Sequence, residues 1–239
     1  MEITERQEEI LNRIVKDYIN LAEPISSEFL EKKYNLGISP ATIRNEMQRL
    51  TETGFLNQPH TSAGRIPTDK GYRFFVDKLF EEGFSDFSDK RLIKEFERIE
   101  KEFDDYFKFS QEITKVLASF SSDLALTYLL GEDLVWREGW DDVFLEPEFK
   151  SSNYLKNFLD IIYKFEENID KFELENSKIT VFIGGENPIK NAKDFSLLVC
   201  QSKFPKDKRG TLALLGPKRM PYKKNISLLN SVLNLLEKI

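Results

Sequence analysis

The run "NLGISPATIRNEMQRLTETGF" at residues 35–55 constrains this chain more than any other, because it fixes where one helix begins and ends. Ser39 supplies an N-cap acceptor, and Pro40 follows at the helical position that tolerates proline best. Gly54 stops the helix after Thr53, and Gly37 in the preceding turn is free to take positive φ. Upstream, Thr4 and Gln7 form a capping-box pattern, and Ile10, Ile14, Tyr18 and Leu21 recur at helical spacing. Pro24 breaks that first helix, and Ser26 or Ser27 caps a second that runs roughly to Tyr34. Three short helices, the last two joined by a tight glycine turn, give the outline of a helix-turn-helix. Phe55 and Leu56 then start a short strand, "NQPHTSAGR" turns, and "RIP" returns. Thr68 caps a further helix through Leu79, so a hairpin follows the three helices and the pattern predicts a winged helix.

The third helix has two different faces. At about 100° per residue, Ile43, Met47 and Leu50 fall together and predict a core contact. Ala41, Asn45, Gln48 and Glu52 fall opposite, flanked by Arg44 and Arg49. Guanidinium, amide and small side chains are what base edges in a major groove accept, although a merely solvated polar face has the same look. The loop between Pro59 and Pro67 carries His60, Thr61, Ser62, Gly64 and Arg65 and no acidic residue, a set suited to phosphate oxygens. Lys70 and Arg73 add positive charge beyond it. The candidate DNA-contacting set is therefore Ser39, Ala41, Thr42, Arg44, Asn45, Gln48, Arg49, His60, Thr61, Ser62, Gly64, Arg65, Lys70 and Arg73.

Bulk charge gives no support to nucleic-acid binding, since the 239 residues carry a net charge of −6. That total hides an asymmetry: −1 over residues 1–79, −13 over 80–176 and +8 over 177–239. The acidic middle is expected to face away from DNA, and the basic end to pair with an acidic surface. Hydrophobic residues at 40% and 20 phenylalanines supply core material for a globular chain of one or two domains. No run approaches the roughly 18 apolar residues of a membrane span. The N-terminus is acidic and amphipathic, unlike a signal peptide. A single cysteine, Cys200, excludes an internal disulfide and fits a cytoplasmic protein.

From Lys90 to Phe120, Leu92, Phe96, Ile99, Phe103, Tyr106, Ser110, Ile113, Leu117 and Phe120 alternate steps of four and three. This heptad-like seam predicts a long linking helix that packs within or between subunits. Beyond it "DLALTYLL", "KITVFIG", "FSLLVCQ" and "GTLALLG" read as strands, the last three expected to be antiparallel. Residues 152–172 and 222–239 read as helices. The last has apolar residues on two stripes and is expected to pack on two surfaces, both within the chain or one in another subunit. The fold class is α+β, with a winged helix over 1–80, a linking or dimerisation helix over 81–121 and an α+β domain over 122–239.

The stretch "EPISSEFLEKKYNLGISPATIRNEMQRLTETGFLNQPHTSAGRIPTDKGYRFFVD" resembles the N-terminal winged helix of the HrcA family, bacterial heat-inducible transcription repressors. "IGGENP…FSLLV…GTLALLGPKRMPY" resembles that family's closing signature. The resemblance implies a homodimer that binds double-stranded DNA at an inverted-repeat operator of chaperone genes. It also implies a partner in a GroEL-type chaperonin, and a central GAF-like domain. The segment between "DLALTYLL" and "EPEFKSSNYLKNFL" is short for that family, so the GAF-like domain is expected to be reduced, with much of its sheet missing. Gly185 and Pro221 stand where the family leads one to expect an acidic residue and an aspartate.

An enzyme is not indicated. His60 is the single histidine, far in sequence from Cys200, and "IGGENP" lacks the lysine and hydroxyl of a phosphate-binding loop. No catalytic residue, metal ligand or cofactor is assigned. The competing reading is a winged helix that binds protein, or a regulator that binds a small effector.

Overall fold

The computed structural model describes residues 3–83, 87, 89–132, 134–169, 172, 174, 175 and 177–239. The chain forms two compact units, Met1–Gly83 and Phe84–Ile239. Helix and sheet are both present, so the fold class is α+β.

The first unit runs α1 (Glu5–Leu21), α2 (Ser27–Tyr34), α3 (Pro40–Glu52), β1 (Leu56–Asn57), β2 (Ile66–Pro67) and α4 (Asp69–Glu82). Thr4 and Gln7 make the capping box, and Ser26, Ser39 and Thr68 each accept a backbone N–H at the start of the helix that follows. The core is built from one stripe of each helix: Ile10, Leu11, Ile14 and Val15, then Leu30, then Ile43, Met47 and Leu50, then Tyr72, Phe75 and Val76. Asp17 is also buried, where it accepts from the Tyr34 hydroxyl at 3.0 Å and pairs with Lys33.

In the second unit, α5 (Lys90–Glu102), α6 (Tyr106–Ser121), α8 (Ser152–Asn168) and α9 (Tyr222–Leu236) surround one antiparallel sheet. Its strands are β3 (Leu124–Leu129), β4 (Leu134–Glu138), β5 (Thr180–Ile183), β6 (Phe195–Phe204) and β7 (Lys208–Pro217), in the order β4-β3-β7-β6-β5. The short helix α7 (Trp140–Val143) follows β4. Leu126, Leu197, Val199, Ala213 and Leu215 face Phe158, Ile161, Ile162 and Phe165 of α8 in one cluster. The other face meets α6 and α9. Thr114 of α6 donates to Thr127 of β3 at 2.7 Å, and Tyr222 of α9 shares a hydrogen bond with Ser196 of β6 at 2.6 Å.

Three expectations change here. The single linking helix over 81–121 is two helices, because Phe103 turns to extended backbone and the Asp105 carboxylate caps the next helix at the Phe107 N–H. The seam packs inside the unit: Phe96 meets Phe109 edge to face with ring centres 6.0 Å apart, and Ile113 and Leu117 are fully buried. Residues 84–86 and 88 of that segment lie outside those described, as do residues 170 and 171 at the end of the expected 152–172 helix. The sheet has one strand more than expected, since the short segment after "DLALTYLL" holds β4, paired to β3 from Leu129↔Leu134 to Ala125↔Glu138. Finally, α9 buries Ile226, Leu229, Leu233 and Leu236 of one stripe and Leu228 and Val232 of the other within the chain, where it packs on β6 and α6, while Leu235 is half-buried and Ile239 exposed.

Charge complementarity inside this unit explains part of the asymmetry in the sequence. Lys208 and Arg219, from the basic end, pair with Glu132 and with Glu146 and Glu148 of the acidic middle. Arg219 is buried; desolvation would lower its pKa, but hydrogen bonds to Glu148 and Glu146 outweigh that and raise it. Asp123, fully buried at the head of β3, receives a 2.6 Å hydrogen bond from the Asn225 amide. Burial pushes its carboxyl from 3.8 up to about 7, against the opposing pull of Asn225. The folded state thus holds a proton there between pH 3.8 and about 7 that the unfolded chain has released. Its contribution to stability is complete below that window and is lost as pH rises through it, by at most about 1.4 kcal/mol per pH unit. Asp123→Asn is expected to flatten the pH dependence of urea unfolding across this window relative to wild type.

Candidate nucleic-acid interface

The site begins with the two ends of α3. The Ser39 hydroxyl accepts the Thr42 N–H at 3.2 Å and meets the Thr42 hydroxyl at 3.0 Å, so both side chains serve the cap. Ile43, Met47 and Leu50 anchor the inner face as expected, and Glu46 joins them, buried. That carboxylate is tolerable because the Gln7 amide donates to it at 2.9 Å, with Arg49 at 3.6 Å and Arg6 at 3.7 Å. Ala41, Arg44, Asn45, Gln48, Arg49 and Glu52 stand exposed on the outer face.

The hairpin is fixed beside that face. Its strands pair Leu56↔Pro67 and Asn57↔Ile66, and Arg65 bridges to Ile25 in the α1–α2 loop through two backbone hydrogen bonds of 2.8 and 2.9 Å. Gly64 sits so close to Ile25 that an added Cβ would lie 2.3 Å from the Ile25 carbonyl oxygen. Its glycine therefore permits a close backbone approach. The tip braces itself: the Gln58 amide donates to the Thr61 and Ala63 carbonyls at 2.9 and 3.1 Å, and Ala63 N–H donates to His60 O at 2.9 Å. His60, Thr61 and Ser62 are left exposed, with a 3.2 Å contact between the His60 ring and the Ser62 hydroxyl. A cleft of about 330 Å³ separates this tip from the start of α2 and from Arg44.

The charged candidates divide into two groups. Arg44 is exposed on the cleft and paired with Glu28, an ion pair between two solvated side chains that adds little to stability and is easily exchanged for another anion. Arg65 is different: it is buried, donating from Nε to the Thr51 hydroxyl and from Nη2 to the Gln48 amide oxygen, both at 3.0 Å. Burial, then the nearby Arg44 charge, lowers its pKa. It is part of the scaffold under the outer face and is not a free backbone clamp. Lys70 donates to the Thr53 carbonyl at 2.9 Å and lies 4.2 Å from the Phe55 ring centre, satisfying the C-terminal end of α3. Arg73 is half-buried on α4 and pairs with Asp77 at 3.3 Å. Among the residues missed from sequence, Glu28 is the partner of Arg44 and Gln58 is the brace of the tip; neither carries a local spacing signal, because both act through tertiary contacts.

Cys200 is fully buried in β6, where desolvation pushes its thiol above the ordinary range, away from nucleophilic chemistry. Among the described residues no group of three or more His, Cys, Asp or Glu side chains could hold a metal ion, and no helix is long and apolar enough to cross a membrane.

Fold and surface together define a two-unit α+β protein whose smaller unit presents a polar helix face beside a braced hairpin. Its family is equally definite. The HrcA protein C terminal domain matches residues 72–226, and the chain belongs to the HrcA family of heat-inducible transcription repressors. The heat-inducible transcription repressor HrcA of Clostridium acetobutylicum is 29% identical over 332 residues, covering 98% of this chain and 96% of that protein. That of Thermoanaerobacter pseudethanolicus is 29% identical over 325 residues, covering 96% and 95%. Both alignments are far longer than this chain of 239 residues, so those relatives carry internal segments that it lacks. The HrcA repressor of Desulforudis audaxviator is 56% identical over 94 residues, 39% of this chain and 27% of that protein. A crystal structure of a hypothetical protein at 2.2 Å has the same fold, with a TM-score of 0.82 at 20% identity over 99% of this chain and 98% of that one.

The contact at Gly64 yields a direct test of how the hairpin is held. Gly64→Ala forces its methyl into the Ile25 backbone and is expected to destabilise the first unit by about 1–3 kcal/mol. Thermal unfolding of the variant checks this, and an unchanged Tm would mean that the hairpin is not held at Ile25.

Proposed function

We propose that this chain is a DNA-binding transcriptional repressor of heat-shock, chaperone-type genes that acts in the cytoplasm as a homodimer on an inverted-repeat operator. In this reading α2 and α3 form a helix-turn-helix, β1 and β2 its wing, and the second unit a GAF-like regulatory and assembly domain. The observation that carries the proposal is the outer face of α3, where Ala41, Arg44, Asn45 and Gln48 stand exposed beside a hairpin tip of His60, Thr61 and Ser62. The amide and guanidinium side chains on the first half of α3 can match adenine and guanine edges in a major groove. The tip's hydroxyls and imidazole can reach phosphate or the adjacent groove. Arg49 flanks the helix as a backbone contact, while Lys70 and Arg73 supply only diffuse positive potential.

Membership of a repressor family supports the reading from a separate direction. Residues 39–75 hold five basic side chains against three acidic, so one copy has little electrostatic affinity for a duplex. Two copies on two half-sites add their contacts, which is why the proposal includes a dimer and a two-fold operator.

Fluorescence anisotropy with a labelled inverted-repeat duplex of the family's operator type, and a scrambled control, tests the proposal across a salt series. The expected result is salt-sensitive binding to the repeat, with Arg44→Ala weakening it by about 1–3 kcal/mol and relaxing the preference at one base position. Equal weak binding of both duplexes, with no effect of Arg44→Ala, would overturn it.

A further inference from the structure

We propose that Arg65 is a specificity-determining positioning residue: from beneath α3 it sets the amide of Gln48 in one orientation, so that Gln48 discriminates the base it meets. The proposal rests on the reading of α3 as the helix that contacts bases.

The argument follows from what each group can donate. A guanidinium has donors only, so the Gln48 atom 3.0 Å from Arg65 Nη2 must be the amide oxygen. On the other side, Gln48 Nε2 lies 3.0 Å from Glu52 Oε1, and a carboxylate can only accept. Flipping the amide would set NH2 against a cation and oxygen against an anion, so both neighbours enforce the same orientation. Arg65 is itself immobile. Its backbone is bonded twice to Ile25, its Nε donates to Thr51 at 3.0 Å, and the residue is 8% exposed.

The outcome for recognition is specific. A free glutamine side chain can turn either edge toward a base and so accommodates more than one partner. Held as it is, Gln48 keeps one N–H and one oxygen lone pair in fixed order, the complement that adenine takes at N7 and N6. Pre-setting the amide also removes rotamer freedom before the duplex arrives, which lowers the ordering cost of the contact. Arg65 thus contributes to selectivity without touching DNA.

The test starts from a randomised duplex pool, selected with the wild-type full chain, to obtain a preferred sequence. Binding of the selected duplex and of each single-base variant is then measured for wild type, Gln48→Ala, Arg65→Lys and the double variant. Lysine keeps the charge but cannot hold Thr51 and Gln48 together in the fixed geometry of a guanidinium. Wild type is expected to lose on the order of tenfold to a hundredfold at the position that Gln48 reads. Arg65→Lys should erase that discrimination at this position alone, and the double variant should lose no more than Gln48→Ala. A uniform loss over all sequences, with a weaker salt dependence, would instead make Arg65 a phosphate contact and overturn the proposal. Intact discrimination in a folded Arg65→Lys would also overturn it. If Arg65→Lys does not fold, Thr51→Val removes the acceptor that holds the Arg65 Nε and so loosens the guanidinium from Gln48; unchanged discrimination there is the contrary result. A wild-type chain that enriches no sequence defeats the reading of α3 itself, and shows this before any variant is compared.

Discussion

The first unit depends on a pair of backbone hydrogen bonds between Ile25 and Arg65. They join the hairpin to the α1–α2 loop, and through it to both helices that precede α3. Gly64 makes the approach possible, because any side chain there would enter the Ile25 backbone. Once the hairpin is held, the Arg65 side chain can reach under α3 to Thr51 and Gln48, and the Gln58 brace leaves the tip's hydroxyls outward. A similar approach recurs at Gly71, where an added Cβ would lie 2.3 Å from the Phe55 carbonyl oxygen, so α4 can seat against the start of the hairpin. The spacing between helix face and hairpin tip is thus set by backbone contacts, which vary little, and not by long exposed side chains.

The second unit is organised around buried polar groups at one end of its sheet. Gly216 leaves room for the Asp123 carboxylate, since a Cβ there would lie 2.0 Å from Oδ1. Asn225 closes over the same carboxylate from α9. Arg219, between β7 and α9, draws in Glu146 and Glu148 from the segment after α7. Tyr222 ties the start of α9 to Ser196 and to the Lys218 carbonyl. The run "GLY-PRO-LYS-ARG-MET-PRO-TYR" at 216–222 is therefore a junction that fixes strand β7, helix α9 and the acidic segment together. Buried ionic groups of this kind are costly to unpair, so each partner constrains the others.

Much of the fold was legible where local chemistry decides it. Ser39 and Pro40 mark the start of α3, Thr4 and Gln7 the start of α1, and the apolar period of α9 its two-sided burial. The linking helix was misread because an apolar seam can continue across a break. Asp105 caps a new helix while Phe103 and Tyr106 keep the spacing. Strand β4 was missed because it is an edge strand of only five residues, half-buried along most of its length and without an alternating pattern. At the site, the outer face of α3 could be read from its period. The role of Arg65 could not, since sequence gives an arginine in a loop but not that its side chain turns inward to partners 14 and 17 residues away. The bond from Lys70 to the Thr53 carbonyl is likewise not legible in sequence, as its partner is a helix end formed only by folding.

Amide hydrogen exchange of the full chain, with and without an inverted-repeat duplex, tests the central claim most directly. Exchange reports the surfaces that a ligand covers independently of which side chain carries the affinity. The account predicts added protection over the first half of α3 and over the hairpin tip at residues 58–64, with the inner helix α1 unchanged. Protection confined to the second unit, or absent from α3 while the duplex is bound, would contradict it.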